Sequence, residues 1–159
     1  MLIAYASRCG STGEVAQAIA QELTAQGQAV DVRLAKDVSD LSGYQAVVVG
    51  SAIRFGKWLP EAVTFVEKNR LALNRVPTAF FSVHALALDD STASQRRRRA
   101  YLDTVRRIVA PKHEAFFAGK VDPARLSIGE RFLARLVRAP EGDLRDWNGI
   151  RGWAQQITR

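Results

Sequence analysis

The sequence predicts an α/β protein built on a doubly wound parallel sheet of five strands, in the order 2-1-3-4-5, with helices on both faces. Short apolar runs alternate along the chain with longer amphipathic stretches, which is the pattern of a parallel sheet covered on both sides. Two of the runs, 78–83 and 115–118, are almost wholly apolar, as expected of strands buried between two helical layers. The 159 residues leave room for one core, so we expect a single domain over 1–159.

Shorter apolar or alternating runs predict the other three strands, at 2–6, 29–34 and 46–50. In the second of these, Val30, Val32 and Leu34 alternate with charged residues, which predicts an edge strand. Pro60 indicates the start of one helix, and Gly27 indicates the end of another. The predicted helices cover 13–25, 60–69, 95–109 and 146–158, with at most a short turn at 38–41.

The chain is strongly basic, with a formal net charge of +7 and a pI near 10.2, which favours contact with an anionic partner. Nucleic acid is disfavoured as that partner, because no recognition motif accompanies the charge. Cys9 is the one cysteine, so no internal disulfide can form, as is typical of a reducing compartment. Because the sequence has no apolar run of about 18 residues and no secretory start, we expect a cytoplasmic protein.

A turn rich in small and hydroxyl residues connects the first strand to the first helix. In a sheet of this order, ligands bind beyond the carboxyl ends of the strands, beside strand 1, where the strand order reverses. Hydroxyls and main-chain N–H groups meet there at the positive end of a helix dipole, which predicts a phosphate site. No lysine precedes Ser11 or Thr12, so a phosphomonoester fits better than a triphosphate. The predicted site residues are Ser7, Arg8, Cys9, Gly10, Ser11 and Thr12.

The same turn also has a purely structural interpretation. Ser11 as N-cap, with Glu14 three residues later, would form a capping box that stabilises the helix without any ligand. A capping box explains Ser11, but it does not explain the density of small and hydroxyl residues before it. Cys9 is interpreted as a space-filling residue of the turn rather than a redox thiol.

Three segments resemble the flavodoxin superfamily: the turn from Tyr5 to Gly13, and the segments 50–58 and 79–83. The last two are similar to the menaquinone-dependent protoporphyrinogen dehydrogenase branch, in which Gly-small-Ser/Ala-Ile-Arg-aromatic-Gly follows strand 3 and Phe-aromatic-Ser-Val closes strand 4. The resemblance spans nearly the whole chain, with a basic insertion at about 120–143 and a late Asp146-Trp147 pair. It departs from the family at 84–90, where HALALDD replaces a more polar and basic stretch.

The resemblance implies a flavodoxin-like fold with FMN as cofactor. An isoalloxazine ring needs aromatic or aliphatic walls and a few polar groups at its pyrimidine edge. Phe55 or Trp58 could stack on the ring, and Trp58 could instead cap the following helix from outside. Arg54 could neutralise the reduced flavin or an acidic substrate, or be simply solvated. The loop after strand 3 contributes Ser51, Ala52, Ile53, Arg54, Phe55 and Gly56 to the predicted site, and the loop after strand 4 contributes Ser82, Val83 and His84.

Basic residues concentrate at 96–99, which the sequence places at the start of helix 4, and in the insertion. Four arginines at the amino end of a helix would oppose its dipole, so helix stability does not account for them. The insertion predicts an amphipathic helix that rests on an anionic membrane, at the inner face of the cell membrane, or that packs on its own domain. Its apolar side would hold Phe132, Leu133, Leu136 and Val137, and its basic side Arg131, Arg135 and Arg138.

Taken with the resemblance, these patterns predict an FMN-dependent oxidoreductase of haem biosynthesis. It would pass electrons from a reduced small-molecule substrate, a porphyrinogen, through FMN to a quinone. Three alternatives stay open: a soluble single-electron carrier, a quinone reductase fed by NAD(P)H, and a flavin-free interaction module. Carriers of the flavodoxin type are commonly acidic, so the net charge of +7 disfavours the first alternative. The sequence names no catalytic residue and shows no cysteine and histidine cluster with metal-ligand spacing.

Overall fold

The computed structural model describes residues 1–121, 124, 128–136 and 141–158, and its centre is a parallel sheet in the predicted order. The neighbouring strands run β2-β1-β3-β5-β6 across this sheet. A two-residue strand, β4, pairs antiparallel with the end of β3. The central strands are β1 (Leu2–Ala6), β2 (Asp31–Leu34), β3 (Val47–Arg54), β4 (Lys57–Trp58), β5 (Thr78–His84) and β6 (His113–Ala118).

Helices connect the strands, and a second, two-stranded sheet lies in the predicted insertion, here called the 120–143 segment. The helices are α1 (Ser11–Ala25), α2 (Pro60–Lys68), α3 (Arg70–Leu73), α4 (Thr92–Ala100), α5 (Asp103–Arg106), α6 (Ile128–Leu136) and α7 (Trp147–Gln156). The small sheet pairs β7 (Lys120–Val121) with β8 (Gly142–Asp143). A 3-10 turn at Ala35–Asp37 stands close to where the sequence predicts a short turn at 38–41. Among the described residues, every helix is too short or too polar to cross a membrane.

The core has two layers, one on each face of the sheet. Consecutive strand residues point to opposite faces, so Leu2 and Phe80 belong to the layer with α2 and α5, whereas Ile3 and Phe81 belong to the layer with α1 and α7. All four side chains are fully buried. A parallel sheet covered on both faces requires this double burial, which explains why its strands are almost continuously apolar.

Gly50 lies inside β3, not in the loop that follows it. The predicted strand at 46–50 ends at this glycine, but β3 continues to Arg54. A Cβ atom at Gly50 would overlap the ring of Phe81, its partner in the register of β3 and β5. The glycine therefore makes room for a buried ring in the core.

The helix predicted at 95–109 is two helices, α4 and α5, interrupted at Tyr101 and Leu102. It also begins earlier than predicted, because Ser91 is the N-cap and its Oγ accepts a hydrogen bond from the Ser94 N–H at 3.2 Å. Residues 97–99 consequently lie in the last turn of α4. The prediction that this basic run opposes the helix dipole is wrong, since cations at the carboxyl end of a helix are favourable.

Candidate ligand site at the carboxyl edge of the sheet

The loops that follow β1, β3 and β5 meet at one edge of the sheet. Ala6, Ser51 and Ser82 are register partners across these three strands, so the strands end at similar heights. β1 lies between β2 and β3, and this is the point at which the strand order reverses. The structure therefore brings the predicted site segments together where open α/β sheets bind their ligands.

The phosphate loop, residues 7–12, is shaped by main-chain hydrogen bonds to its hydroxyls. Gly10 has a left-handed conformation with φ of 87° and donates its N–H to Ser7 Oγ at 3.0 Å. Ser11 Oγ accepts the N–H of Lys120 at 3.0 Å. In these bonds both serine hydroxyls act as acceptors, so each keeps its own hydrogen for a ligand.

Ser11 is not a capping residue. The N-cap of α1 is Gly10, which has no side chain to cap the helix, and Ser11 is the first helical residue. The capping-box interpretation is therefore wrong, and Ser11 instead bonds a strand that lies 109 residues later in the sequence. The first N–H groups of this 15-residue helix carry the positive end of its dipole toward the loop.

Thr12 supplies the observation that tests whether the loop fits an anion. Its side chain is 1% exposed, and its Oγ1 has no hydrogen-bond partner among the described residues. A buried hydroxyl without a partner costs about 1 to 3 kcal/mol. A phosphate oxygen at the amino end of α1 would satisfy that hydroxyl, so the residues present fit a phosphate group.

Arg8 forms an ion pair within the protein, so its charge is not available to a phosphate alone. Its NH1 lies 2.6 Å from Oε1 of Glu61, in the first turn of α2. The hydrogen bond from Arg8 lowers the pKa of Glu61 below its ordinary value. The charge of Arg8 is thus largely balanced, and the loop offers neutral hydroxyls and N–H groups as its main donors. Cys9 is half-buried in the same loop.

The β3–β4 hairpin, residues 53–58, places an aromatic ring at this edge. Phe55 and Gly56 form its two-residue turn with φ values of 51° and 73°, the geometry of a type I′ turn. A bulky residue resists positive φ, so Phe55 is strained, and its ring is 73% exposed. The guanidinium carbon of Arg54 lies 5.4 Å from the centroid of this ring. An exposed, strained aromatic residue beside a cation is a candidate ligand wall.

Trp58 is part of the interior and does not line the site. Its side chain is 4% exposed, its Nε1 donates to Ser82 Oγ at 2.8 Å, and its ring packs edge-on against Phe80. Two interpretations of Trp58 are therefore wrong: it does not stack on a flavin, and it does not cap the following helix from outside. The indole N–H instead has a buried partner on β5.

Two predicted site serines support the hairpin from within. Ser51 and Ser82 are fully buried. Ser51 Oγ accepts the N–H of Leu59 at 2.9 Å and donates to the carbonyl of Ala52 at 2.9 Å. These hydroxyls fix the start of α2 and the position of Trp58. The exposed members of this predicted group are the hairpin residues from Arg54 to Gly56.

His84 ends β5 as a buried, neutral imidazole. It is 4% exposed, and its Nδ1 lies 2.7 Å from the carbonyl oxygen of Leu86, to which it must donate. Burial, followed by the charge of Arg98, lowers its pKa. Nε2 is therefore an unprotonated acceptor, and it has no hydrogen-bond partner among the described residues. Val83, its neighbour in β5, is also buried.

The loop after β5 is fixed by an arginine. Arg98 NH1 donates to the carbonyls of Ala87 and Asp89, at 2.5 and 2.7 Å. Ala87 has a positive φ of 59°. The side chain of Arg98 on α4 thus holds the main-chain carbonyls of this loop.

An open groove of about 590 Å³ adjoins the phosphate loop on the side of α1 and α7, reaching from Gly10 to Arg151. It is lined largely by polar side chains, including Gln17 and Gln21. The groove lies beside α1, and the loops after β3 and β5 contribute none of its lining. Tyr5 and Trp147 give it aromatic lining, but it lies away from the β3–β4 hairpin and the end of β5.

The 120–143 segment is anchored at the phosphate loop, and α6 within it exposes an apolar stripe. Ile128, Phe132 and Leu136 recur every four residues and are 87%, 72% and 71% exposed. The alternative interpretation, in which Phe132 and Leu136 pack on their own domain, is therefore wrong. The side chains of Leu133 and Arg135, and the whole of Val137 and Arg138, lie outside the described residues.

Sequence reasoning missed Glu14 and Arg145 as residues of this region. Arg145 NH1 lies 2.5 Å from Oε2 of Glu14, which is in the first turn of α1. The two residues are 131 positions apart, so no local pattern could reveal the pair. The one available signal was the position of Glu14 directly after the phosphate loop.

Comparison with known proteins matches residues 2–148 to the flavodoxin domain family. The chain belongs to this flavodoxin family. It is 29% identical over 169 residues to protoporphyrinogen IX dehydrogenase [quinone] of Escherichia coli (strain K12), covering 99% of the chain and 93% of that relative. For the relative of the same name in Leishmania major the identity is 27%, with 99% and 74% covered. Oxidised flavodoxin 2 from Bacillus cereus superposes with a TM-score of 0.59 at 20% identity, covering 99% and 96%.

Membership of the flavodoxin family confirms the predicted fold and identifies FMN as the cofactor. The phosphate loop agrees independently, because the buried Thr12 hydroxyl and the amino end of α1 suit a phosphomonoester. Relatives named as dehydrogenases, together with this fold, indicate an oxidoreductase or an electron carrier.

Proposed function

We propose that this flavodoxin-family chain is an FMN-dependent enzyme that passes electrons from a reduced porphyrinogen to a membrane quinone. One observation carries the proposal: the likeness to the protoporphyrinogen IX dehydrogenases covers 99% of the chain, and so includes the 120–143 segment as well as the sheet. FMN supplies a ring that accepts electrons from one partner and gives them to another. The residues of the chain hold that ring and control what reaches it.

The phosphate loop holds the phosphate of FMN in this proposal. Ser7, Ser11 and Thr12 donate their hydroxyl hydrogens, and the first N–H groups of α1 add a partial positive charge. Two of these hydroxyls are already oriented by main-chain bonds, which reduces the cost of ordering them on binding. Gly10 and Cys9 contribute the backbone of the turn.

The β3–β4 hairpin and the end of β5 border the ring. Phe55 covers one face of it, and Arg54 provides a permanent positive charge that favours a negatively charged reduced ring or a substrate carboxylate. The main chain of Ser51, Ala52, Ile53, Gly56, Ser82 and Val83 forms the floor of the site, and His84 borders the ring from the end of β5.

The 120–143 segment brings this site to a lipid surface. An apolar stripe of three side chains on α6, with Arg131 on the same helix, suits a helix lying in the headgroup region of an anionic bilayer. Arg96, Arg97 and Arg99 on α4 are exposed and have no ion pair among the described residues, so they add to the attraction. Each basic residue near such a surface contributes about 1 kcal/mol. A quinone dissolved in that bilayer would then be within reach of the flavin.

Anaerobic reduction of the FMN-loaded protein tests the reaction. Protoporphyrinogen IX, NADH and NADPH are added to separate samples, the loss of visible flavin absorbance is followed, and menaquinone is then added. We expect rapid reduction by the porphyrinogen and reoxidation by the quinone, with free FMN at the same concentration as control. Reduction by NADH or NADPH but not by the porphyrinogen would indicate a quinone reductase. Reduction by none of the three would favour a single-electron carrier.

Sedimentation with lipid vesicles tests the membrane contact. The wild-type protein should bind vesicles that contain anionic lipid at low salt, and the bound fraction should fall as salt screens the charges. Replacing the stripe with I128S, F132S and L136S should reduce binding at least about tenfold, given the apolar area removed. The matched control is L71S, because Leu71 is a 67% exposed leucine on α3. Wild-type protein that ignores anionic vesicles at low salt would contradict the contact.

A further inference from the structure

A nearly buried arginine joins the Asp143 end of the 120–143 segment to the first turn of α1. The side chain of Arg145 is 4% exposed. Its Nε and NH2 donate to the two carboxylate oxygens of Asp143, at 2.7 and 2.5 Å, and its NH1 donates to Glu14 at 2.5 Å. Its guanidinium carbon lies 4.4 Å above the centroid of the Trp147 ring. The hydrogen bonds of Arg145 lower the pKa of Asp143 to about 2.

A second connection runs beside the first. Lys120 and Asp143 are register partners of β7 and β8, and the N–H of Lys120 donates to Ser11 Oγ at 3.0 Å. The first turn of α1 is therefore tied to the two-stranded sheet twice, at Ser11 through a main-chain bond and at Glu14 through the arginine. The next residue back, Gly119, donates its N–H to the carbonyl of His84 at 2.8 Å.

Charge attraction to a phosphate does not explain this arrangement. Glu14, Asp143 and Arg145 sum to a charge of −1 close to the amino end of α1, where a phosphate would bind, and Lys120, the register partner of Asp143, offsets that charge. The group therefore offers no net attraction to an anion. The bridge formed by Glu14, Arg145 and Asp143 instead fixes geometry. It holds the first turn of α1, which carries Ser11 and Thr12, against β7, whose N–H at Lys120 orients the Ser11 hydroxyl.

We propose that Glu14 and Arg145 are positioning residues for the phosphate loop, and that they raise the affinity for FMN by holding Ser11 in place. The inference rests on the proposed role of this loop in binding the FMN phosphate. By linkage, a bound phosphate stabilises the contact between Ser11 and Lys120, so the anchor of the 120–143 segment is firmer in the loaded protein.

Substitutions at Glu14 separate positioning from charge, because the two predict opposite signs. Removing a carboxylate near an anion tightens FMN binding if only charge matters. Under the positioning proposal, E14A raises the FMN dissociation constant about fivefold or more, and R145Q raises it about tenfold. E14Q keeps an acceptor for Arg145 and should restore much of the affinity lost in E14A, whereas a pure charge effect would make E14A and E14Q equally tight.

Riboflavin, R107Q and amide exchange provide the controls. Riboflavin lacks the phosphate, so its dissociation constant should not change in E14A or R145Q, whereas general unfolding would weaken both ligands. Arg107 is exposed at the end of α5, and R107Q removes the same charge without touching the bridge. FMN should slow hydrogen exchange at the Lys120 amide in the wild-type protein and do so less in R145Q.

The outcomes distinguish this inference from the proposed function. If wild-type protein binds FMN no better than riboflavin, the phosphate site itself is wrong. If it prefers FMN and both E14A and R145Q keep that preference, the site stands and the positioning role is overturned. Tighter FMN binding by E14A would overturn it as well.

Discussion

The phosphate loop and the β3–β4 hairpin lie at the same edge of the sheet, yet they present opposite surfaces to a ligand. The loop offers buried, neutral hydroxyls at the end of a 15-residue helix, whereas the hairpin offers a 73% exposed ring beside a cation. The charge of a phosphate does not change when a flavin is reduced, but the charge of the ring can. We infer that the loop sets the preference for FMN over riboflavin, whereas the hairpin contacts the ring that both ligands share and sets how readily that ring is reduced.

The largest expected effect comes from removing the hydroxyls of the loop. The combined variant S7A, S11A and T12A should weaken FMN binding strongly, since each hydrogen bond to a charged group contributes about 1.5 to 3 kcal/mol. Titration of the apoprotein with FMN and riboflavin, followed by flavin fluorescence, measures the change. Riboflavin binding and the redox potential of bound flavin should stay close to wild type. An equal loss for both ligands would break the division between loop and hairpin.

The hairpin is expected to depend on a bond inside the protein. W58F removes the donor to Ser82 Oγ and should lower the free energy of unfolding by about 1 to 3 kcal/mol, because a buried hydroxyl loses its partner. S82A in the same chain removes that unsatisfied group, so the double variant should be more stable than W58F alone. Chemical denaturation of the two single variants and the double variant measures this coupling. Additive losses would show that the bond does not hold the hairpin.

The sequence predicts the sheet well, because the strands depend on local patterns, and phosphate binding by residues 7–12 stays a prediction. Apolar runs identify the strands, and the turn before α1 is recognisable from its residues. The role of Gly50 is missed and the role of Trp58 is predicted wrongly, since both depend on residues of a neighbouring strand, Phe81 and Ser82. Distance along the chain hides such partners, and it hides the pair of Glu14 and Arg145 for the same reason.

Because Phe55 is strained, replacing it should raise the stability of the fold and weaken binding of the flavin ring. Asn tolerates positive φ better than Phe, and Asn-Gly is the favoured pair of a type I′ turn, so F55N should stabilise the fold by about 1 kcal/mol. The same variant should weaken riboflavin and FMN by similar factors, because both carry the ring. Thermal unfolding of the apoprotein and ligand titration measure the two effects. A less stable F55N would contradict the strain, and unchanged riboflavin affinity would remove Phe55 from the site.

The smallest expected effect belongs to the end of β5, where His84 is buried, as Thr12 is in the phosphate loop, but can titrate. Burial lowers its folded pKa below the ordinary value of 6.5, with Arg98 as the nearby charge and Tyr101 as the aromatic neighbour. Between the lowered pKa and about 6.5 the unfolded chain binds more protons than the folded one, so stability rises with pH across this window. The contribution is fully present above about pH 6.5 and is lost as the pH falls through the folded pKa.

H84N isolates this contribution, because asparagine can still donate to the carbonyl of Leu86 but does not titrate. Denaturation of the apoprotein at a series of pH values below 7 should give a steeper loss of stability for wild type than for H84N. The difference in slope between the two curves should vanish above the ordinary pKa of about 6.5, where the imidazole is neutral in both the folded and the unfolded chain, and any constant offset that remains belongs to the substitution itself. Parallel curves throughout would mean that the folded chain protonates His84 as easily as the unfolded chain does. The end of β5 would then resemble the solvent-exposed hairpin more than the buried phosphate loop.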